Sequence, residues 1–267
     1  MAQEIVLAGG KRTPFGDFGK SLKDIPLTAL ATHAAKACVE DAEILPEDID
    51  HLVWGNVLPV DPDGYYTGRA AALNIGMKEE SCAMQVNRAC GSGTQAILTA
   101  AQQIMTGHGK IALAGGGENF SRAPFANQKM RWGAIRGAQS FEDTMESVYS
   151  DPFGHGLMGA TAENLSEDFQ YRREDMDAWG LMSQQRAGKA IATGFLARQI
   201  APIEVPEGRK GTRLMSEDEF PRPEITLEKL ATLKPVFRKG GQVTPGNSSG
   251  VTDGAAFVLV GDRAALE

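Results

Sequence analysis

The stretch SCAMQVNRACGSGTQAILTAAQQIMTGHGKIALAGGGE, Ser81 to Glu118, decides how the rest of the chain is read. It opens with CAMQV, a short apolar run between polar residues, after which Ile97, Leu98, Ala101, Ile104 and Met105 recur at helical spacing until Gly107. KIALAGGG then reads as a second buried strand, so the order is strand, tight turn, helix, strand. A parallel pair with a right-handed crossover is the default for such a unit. Cys90 falls at the helix N-terminus, where unpaired backbone amides and the positive end of the helix dipole favour a thiolate. The same amides could hold a carbonyl oxygen as it gains charge, and Gly91 and Gly93 would let a substrate approach the backbone. The competing reading is a buried structural cysteine.

Outward from this unit, strands and helices alternate. EIVLAGG is a strand; Pro26 opens a helix, with Asp24 as its expected cap, that carries Leu27, Leu30, Ala31, Ala34, Cys38 and Val39 on one face. HLVWGNV gives another strand and YYTGRAAALNIG a small helix. The expected fold class is α/β: a mostly parallel sheet with helices on both faces. After Glu118 the pattern is lost, helices return at about 158 to 170 and 174 to 192, IAPIEVP is a strand, and only GAAFVLV (254–260) resumes a continuous apolar strand. The expected division is 1–119 plus 249–267 as the α/β domain and 120–248 as a large insertion.

A net charge of −7 in 267 residues argues against nucleic acid or an anionic membrane as the main partner, and no apolar run reaches transmembrane length. The three cysteines, Cys38, Cys82 and Cys90, are odd in number, show no metal-ligand spacing and follow no secretory leader, so a cytoplasmic location is expected. Cys38 and Cys82 read as packing residues. The histidines His33, His51, His108 and His155 show no metal spacing either, and no metal is expected. GNSSG spells a hydrolase pattern around Ser248, but a strand rather than a helix follows it; AGGG fails the dinucleotide spacing at Phe120.

Four ordered segments carry a resemblance: VNRACGSGTQA (86–96), AGGGENFS (114–121), MGATAENL (158–165) and GNSSGVTDGAA (246–256). Together they resemble the thiolases, and the likeness runs over essentially the whole chain. The resemblance implies a thiolase-like fold whose insertion is a loop domain sheltering coenzyme A. It implies an acyltransferase that forms or cleaves 3-ketoacyl-CoA through an acyl-cysteine on Cys90. Residue by residue, it implies that Ser249 meets the pantetheine arm, Arg222 the nucleotide end, and Met158 and Phe237 the apolar tunnel walls. The coenzyme A thioester is then a substrate and no resident cofactor is expected; a dimer or tetramer is.

The family's second half, with segments of GHPxG and CxGGG type, has no counterpart in these 267 residues. The chain is therefore expected to be the nucleophile-bearing portion, inactive alone. Leu157 stands where many members carry a histidine, so no role passes to His155, and 141–156 lacks the HDGLxDAF-like run of short-chain biosynthetic thiolases, which leaves acyl length open. Two other readings remain at this point: a non-catalytic thiolase-like module for acyl-CoA binding or assembly, and a ketoacyl synthase relative, against which MGATAEN and GNSSGVTDGAA count.

Overall fold

The computed structural model describes residues 4–266. In chain order the strands and helices are β1 (Ile5–Arg12), β2 (Gly16–Asp17), α1 (Leu27–Asp41), β3 (His51–Gly55), α2 (Thr67–Asn74), β4 (Cys82–Val86), α3 (Ser92–Met105) and β5 (Ile111–Glu118). Two short hairpins follow, β6 (Phe125–Ala126) with β7 (Glu142–Asp143) and β8 (Ser150–Asp151) with β9 (Gly156–Leu157), and α4 (Thr144–Tyr149) lies between them in sequence. The remainder is α5 (Met158–Asp168), α6 (Arg173–Ala192), β10 (Ile203–Pro206), β11 (Thr212–Met215), α7 (Leu227–Ala231), β12 (Thr252–Asp262) and α8 (Arg263–Leu266). These elements fall into two compact units.

The first unit takes the chain up to Arg122, Ala197–Glu219 and the chain from Thr252 onward. Among its described residues six strands make one sheet, in the order β1-β12-β5-β3-β4, with β2 against β12. The α/β class stands, but the sheet is mixed rather than mostly parallel. β3 pairs in parallel with β4 and β5, while β12 runs antiparallel to β1, β2 and β5. The direction of β12 is not written in its own residues, because any long connection can deliver a strand either way round. The two strands flanking α3 are also not neighbours: β3 lies between β4 and β5.

Period-2 alternation sorts the side chains of this sheet onto two faces. Leu52, Trp54, Leu113, Phe257 and Leu259 join α1 and α2 in one buried cluster, and the Trp54 and Phe257 rings stack at 5.2 Å. Val53, Ala112, Ala114 and Val260 instead meet Ala96, Ala100 and Ile104 of α3. The α1 N-terminus is not capped by Asp24: Leu27 N–H donates to Asp61 Oδ2 at 2.9 Å, and Arg122 Nε binds Asp61 Oδ1 at 2.7 Å.

The 197–219 segment corrects the expected boundaries, since it belongs with the sheet and not with the insertion. Its β10–β11 hairpin places Ile203, Val205 and Met215 in the larger apolar cluster, and Arg12 forms a partly buried bidentate pair with Asp218 at 2.7 and 2.9 Å. Burial of those three apolar side chains, not sequence proximity to the insertion, decides the membership.

The second unit, Ala123–Leu196 with Phe220–Val251, is held differently. Glu163 of α5, 1% exposed, accepts the Gln242 N–H and, at 2.9 Å, the Val243 N–H. Asp177 of α6 accepts Arg173 Nε at 2.7 Å and Asn247 Nδ2 at 2.9 Å, and the same Asn247 amide donates to Gln242 O at 3.0 Å. Two buried carboxylates thus fasten the loop that carries GNSSG. Among the described residues no helix is long and apolar enough to cross a membrane.

Candidate active site

Cys90 is exposed and lies in the turn between β4 and α3. That turn opens at the carboxyl ends of the parallel strands β3, β4 and β5, the edge at which open α/β sheets bind ligands. Gly55, the last residue of β3, makes the turn's position possible: a Cβ there would come within 2.6 Å of the Ser92 carbonyl carbon. The strand end can therefore abut the first turn of α3.

Ala89, immediately before Cys90, has φ of 46°, a left-handed conformation that costs an alanine about 1–2 kcal/mol. Four contacts impose it. Asn87 Oδ1 accepts the Ala89 N–H at 3.0 Å, Ser92 Oγ accepts the Arg88 N–H at 2.8 Å, Ser92 Oγ–H donates to Ala89 O at 2.7 Å, and the Ser92 N–H donates to the same carbonyl at 3.0 Å. The Gly91 N–H donates to Arg88 O at 3.0 Å. The Gly91 and Ser92 amides are therefore engaged within the turn itself. Gly93 has open space where a Cβ would sit, so no close approach by this chain requires it.

Behind the turn is a carboxyl group that sequence reasoning passed over. Glu118, the last residue of β5, accepts the Val57 N–H through Oε1 and the Leu58 N–H through Oε2 at 3.3 Å. Burial pushes it up to about 7, against the lowering influence of those amides and of the Asn56 side chain. The signal lay in plain view, as a glutamate closing an apolar strand. The other cysteines differ from expectation in one case. Cys38 is buried in the apolar cluster, which pushes its thiol up, whereas Cys82 is exposed because β4 is the sheet's edge strand.

The second unit contains a cavity of about 660 Å³, within the range of small-molecule sites. Met158, Phe237 and Ser249 all line it, so three of the sequence-predicted contacts come together. Gly159 allows this wall, since a Cβ there would lie 2.3 Å from the Phe237 ring. Ser248 also lines the cavity, and its buried Oγ has no partner among the described residues. Arg222 is not among the lining residues; its Nη1 donates to Phe220 O at 2.6 Å and Pro221 O at 3.0 Å. Met145, Tyr149 and Met176 are among the further lining residues and were missed. Two of these come from α4, whose six residues are too few for a periodic signal, although Asp143 caps it by accepting the Met145 N–H at 2.9 Å. Among the described residues no three His, Cys, Asp or Glu side chains group as metal ligands.

Comparison with known proteins accounts for this architecture. Residues 5–264 match the family described as thiolase, N-terminal domain. A beta-ketothiolase of Cupriavidus necator is 40% identical over 268 residues, covering 100% of this chain and 68% of that protein. The mitochondrial 3-ketoacyl-CoA thiolase of Bos taurus is 40% identical over 264 residues, covering 98% and 66% respectively. The crystal structure of the human mitochondrial 3-ketoacyl-CoA thiolase superposes with a TM-score of 0.95 at 38% identity, over 99% of this chain and 67% of that one. The same enzyme in complex with CoA gives 0.94, over 99% and 66%. The chain spans about two thirds of the length of the relatives it matches, and it belongs to the thiolase family as that family's N-terminal domain.

Proposed function

We propose that this chain is the nucleophile-bearing portion of an acyltransferase that makes or cleaves 3-ketoacyl-CoA. The Cys90 thiolate attacks the carbonyl carbon of an acyl-CoA thioester, the carbon–sulfur bond to coenzyme A breaks, and coenzyme A departs as its thiolate. The acyl group remains on Cys90. One thioester replaces another, so the step is near balance and runs in either direction. The observation that carries this reading is an exposed cysteine held in a strained strand-to-helix turn, within a chain of thiolase ancestry.

The cavity of the second unit supplies a binding surface for the acyl-CoA, with Met158 and Phe237 as apolar walls and Ser249 for the pantetheine arm. The name of a structural neighbour solved with CoA supports that class of ligand. Arg222 is the proposed contact for the nucleotide end, which requires its guanidinium to exchange loop carbonyls for phosphate. We further propose that the protein pairs with a second copy through β4, whose outer edge is unpaired among the described residues and exposes Met84 at 40%. Exposed Cys82 and Cys90 suit a reducing, cytoplasmic setting.

The test is acetyl-CoA added to the purified 267-residue chain, followed by peptide mapping and measurement of released coenzyme A thiol. One acetyl group on Cys90 with matching coenzyme A release is expected, and Cys90→Ser abolishes both. Acetoacetyl-CoA should not accumulate, because the segments expected to handle the α-proton lie outside these residues. A chain that binds acyl-CoA yet never carries an acetyl group on Cys90 would instead be a binding or assembly module.

A further inference from the structure

We propose that Glu118 is a positioning residue for Cys90, acting through the 56–58 loop and Asn87 to hold the left-handed turn at Ala89. Its meaning for catalysis rests on the acyl-transfer reading above; the mechanical coupling does not. The path is continuous. The Glu118 carboxyl takes the Val57 and Leu58 N–H groups, the Val57 carbonyl accepts Asn87 Nδ2 at 3.2 Å, and Asn87 Oδ1 accepts the Ala89 N–H at 3.0 Å. Both ends of one asparagine side chain are thereby used, one on the loop that Glu118 grips and one on the strained residue beside the nucleophile. The loop is itself tied to the neighbouring strands, since Asn56 N–H donates to Val86 O at 3.2 Å and Asn56 Nδ2 to Gly117 O at 3.1 Å.

Two features set this glutamate apart from a residue that only fills space. Among the described residues no cation shares its site: its partners are the Val57 and Leu58 amides and the Asn56 side chain. The buried Asn56 Oδ1 has no partner of its own among the described residues. An ionised Glu118 offers the loop amides two charge-assisted bonds. A protonated one offers weaker acceptors and adds an O–H donor that the two amides cannot accept. Burial pushes the carboxyl up to about 7, so the grip on the loop changes across neutral pH. Ionisable groups on the adjoining segments are already engaged. Asp61 pairs with Arg122 at 2.6 Å, Asp253 accepts the Ser121 N–H at 3.1 Å, and Arg88 donates to Gln95 at 2.6 Å.

The test is alkylation of Cys90 by iodoacetamide in the full chain carrying Cys82→Ser, across roughly pH 5 to 9, which spans the carboxylate and thiol ranges. With Glu118 intact the rate should show an inflection near pH 7 in addition to that of the thiol. Glu118→Gln should remove that inflection and slow labelling above neutrality about tenfold, as small misplacements of reacting groups do. Asn87→Ala, a change at an exposed position, should do the same, and the double variant should be no slower than the slower single. If Glu118→Gln does not fold, Asn87→Ala decides alone by the same rate and the same inflection. Wild-type rate and pH profile in both variants, or single effects that multiply in the double, would overturn the coupling. Failure of wild-type Cys90 to take an acetyl group would instead strike the acyl-transfer reading and leave the alkylation result to stand or fall separately.

Discussion

The two units solve the same problem by different physics. In the sheet unit Leu52, Trp54, Leu113, Phe257 and Leu259 are at most 1% exposed and interlock with α1 and α2 on one face of the sheet. In the second unit the buried side chains include Glu163, Ser166, Asp177 and Thr244 beside Leu230 and Val243, while Trp132 and Phe153 stand 81% and 86% exposed. Apolar burial is strong and undirected, so it fixes a backbone against which Cys90 can be held in a costly conformation. Carboxylates that grip amides are directional and local, so they set one loop in place and leave its surroundings open. A nucleophile needs the first arrangement, and a cavity for a long flexible ligand can be built on the second.

The largest test of this contrast is Phe257→Ala. Removing a ring that stacks on Trp54 should cost about 3–5 kcal/mol in chemical denaturation. Amide exchange should rise across β3, β5 and β12 together. Next comes Glu163→Ala, which strands the Gln242 and Val243 amides and should cost about 2–3 kcal/mol. Here exchange should rise in α5 and residues 241–247 while β3 and β5 keep their protection. If it loosens the sheet as much as Phe257→Ala does, the contrast between the units is broken. The smallest effect is expected from Ala89→Gly. It should raise stability by about 1 kcal/mol, because glycine adopts a φ of 46° without penalty. It should at the same time slow Cys90 acylation, and a variant that is both more stable and as fast would show that the strain does no chemical duty.

What the sequence disclosed follows the same division. The strand–turn–helix–strand unit around Cys90, the helix opened by Pro26 and the final apolar strand are all legible, because burial against a sheet imposes a regular apolar period. The partner of β10 was not, since Thr212, Arg213 and Leu214 of β11 are exposed and only Met215 is buried. Nor was the true cap of α1, because Asp61 is 34 residues from Leu27. In the cavity, the motif residues Met158 and Ser249 were readable by likeness, whereas Met145 and Tyr149 sit on a single short helix with no period to detect. Cys82 was misjudged as packing because an apolar run does not reveal that its strand is an edge.

One consequence follows from the place of β12. It lies between β1 and β5, yet it is the last of the sheet strands to be synthesised. Until residues 252–262 clear the ribosome, β1 lacks its partner strand, with only Arg12 at its end able to bond the 199–201 segment, and the flank of β5 stays bare. The nascent chain must carry a split sheet through the whole of the second unit's synthesis, a long interval in which a chaperone is the natural guardian of that open seam. A stop codon placed just before Thr252 would leave the nucleophile's strand and helix present in the product but deny them the plank on which both halves of the sheet close.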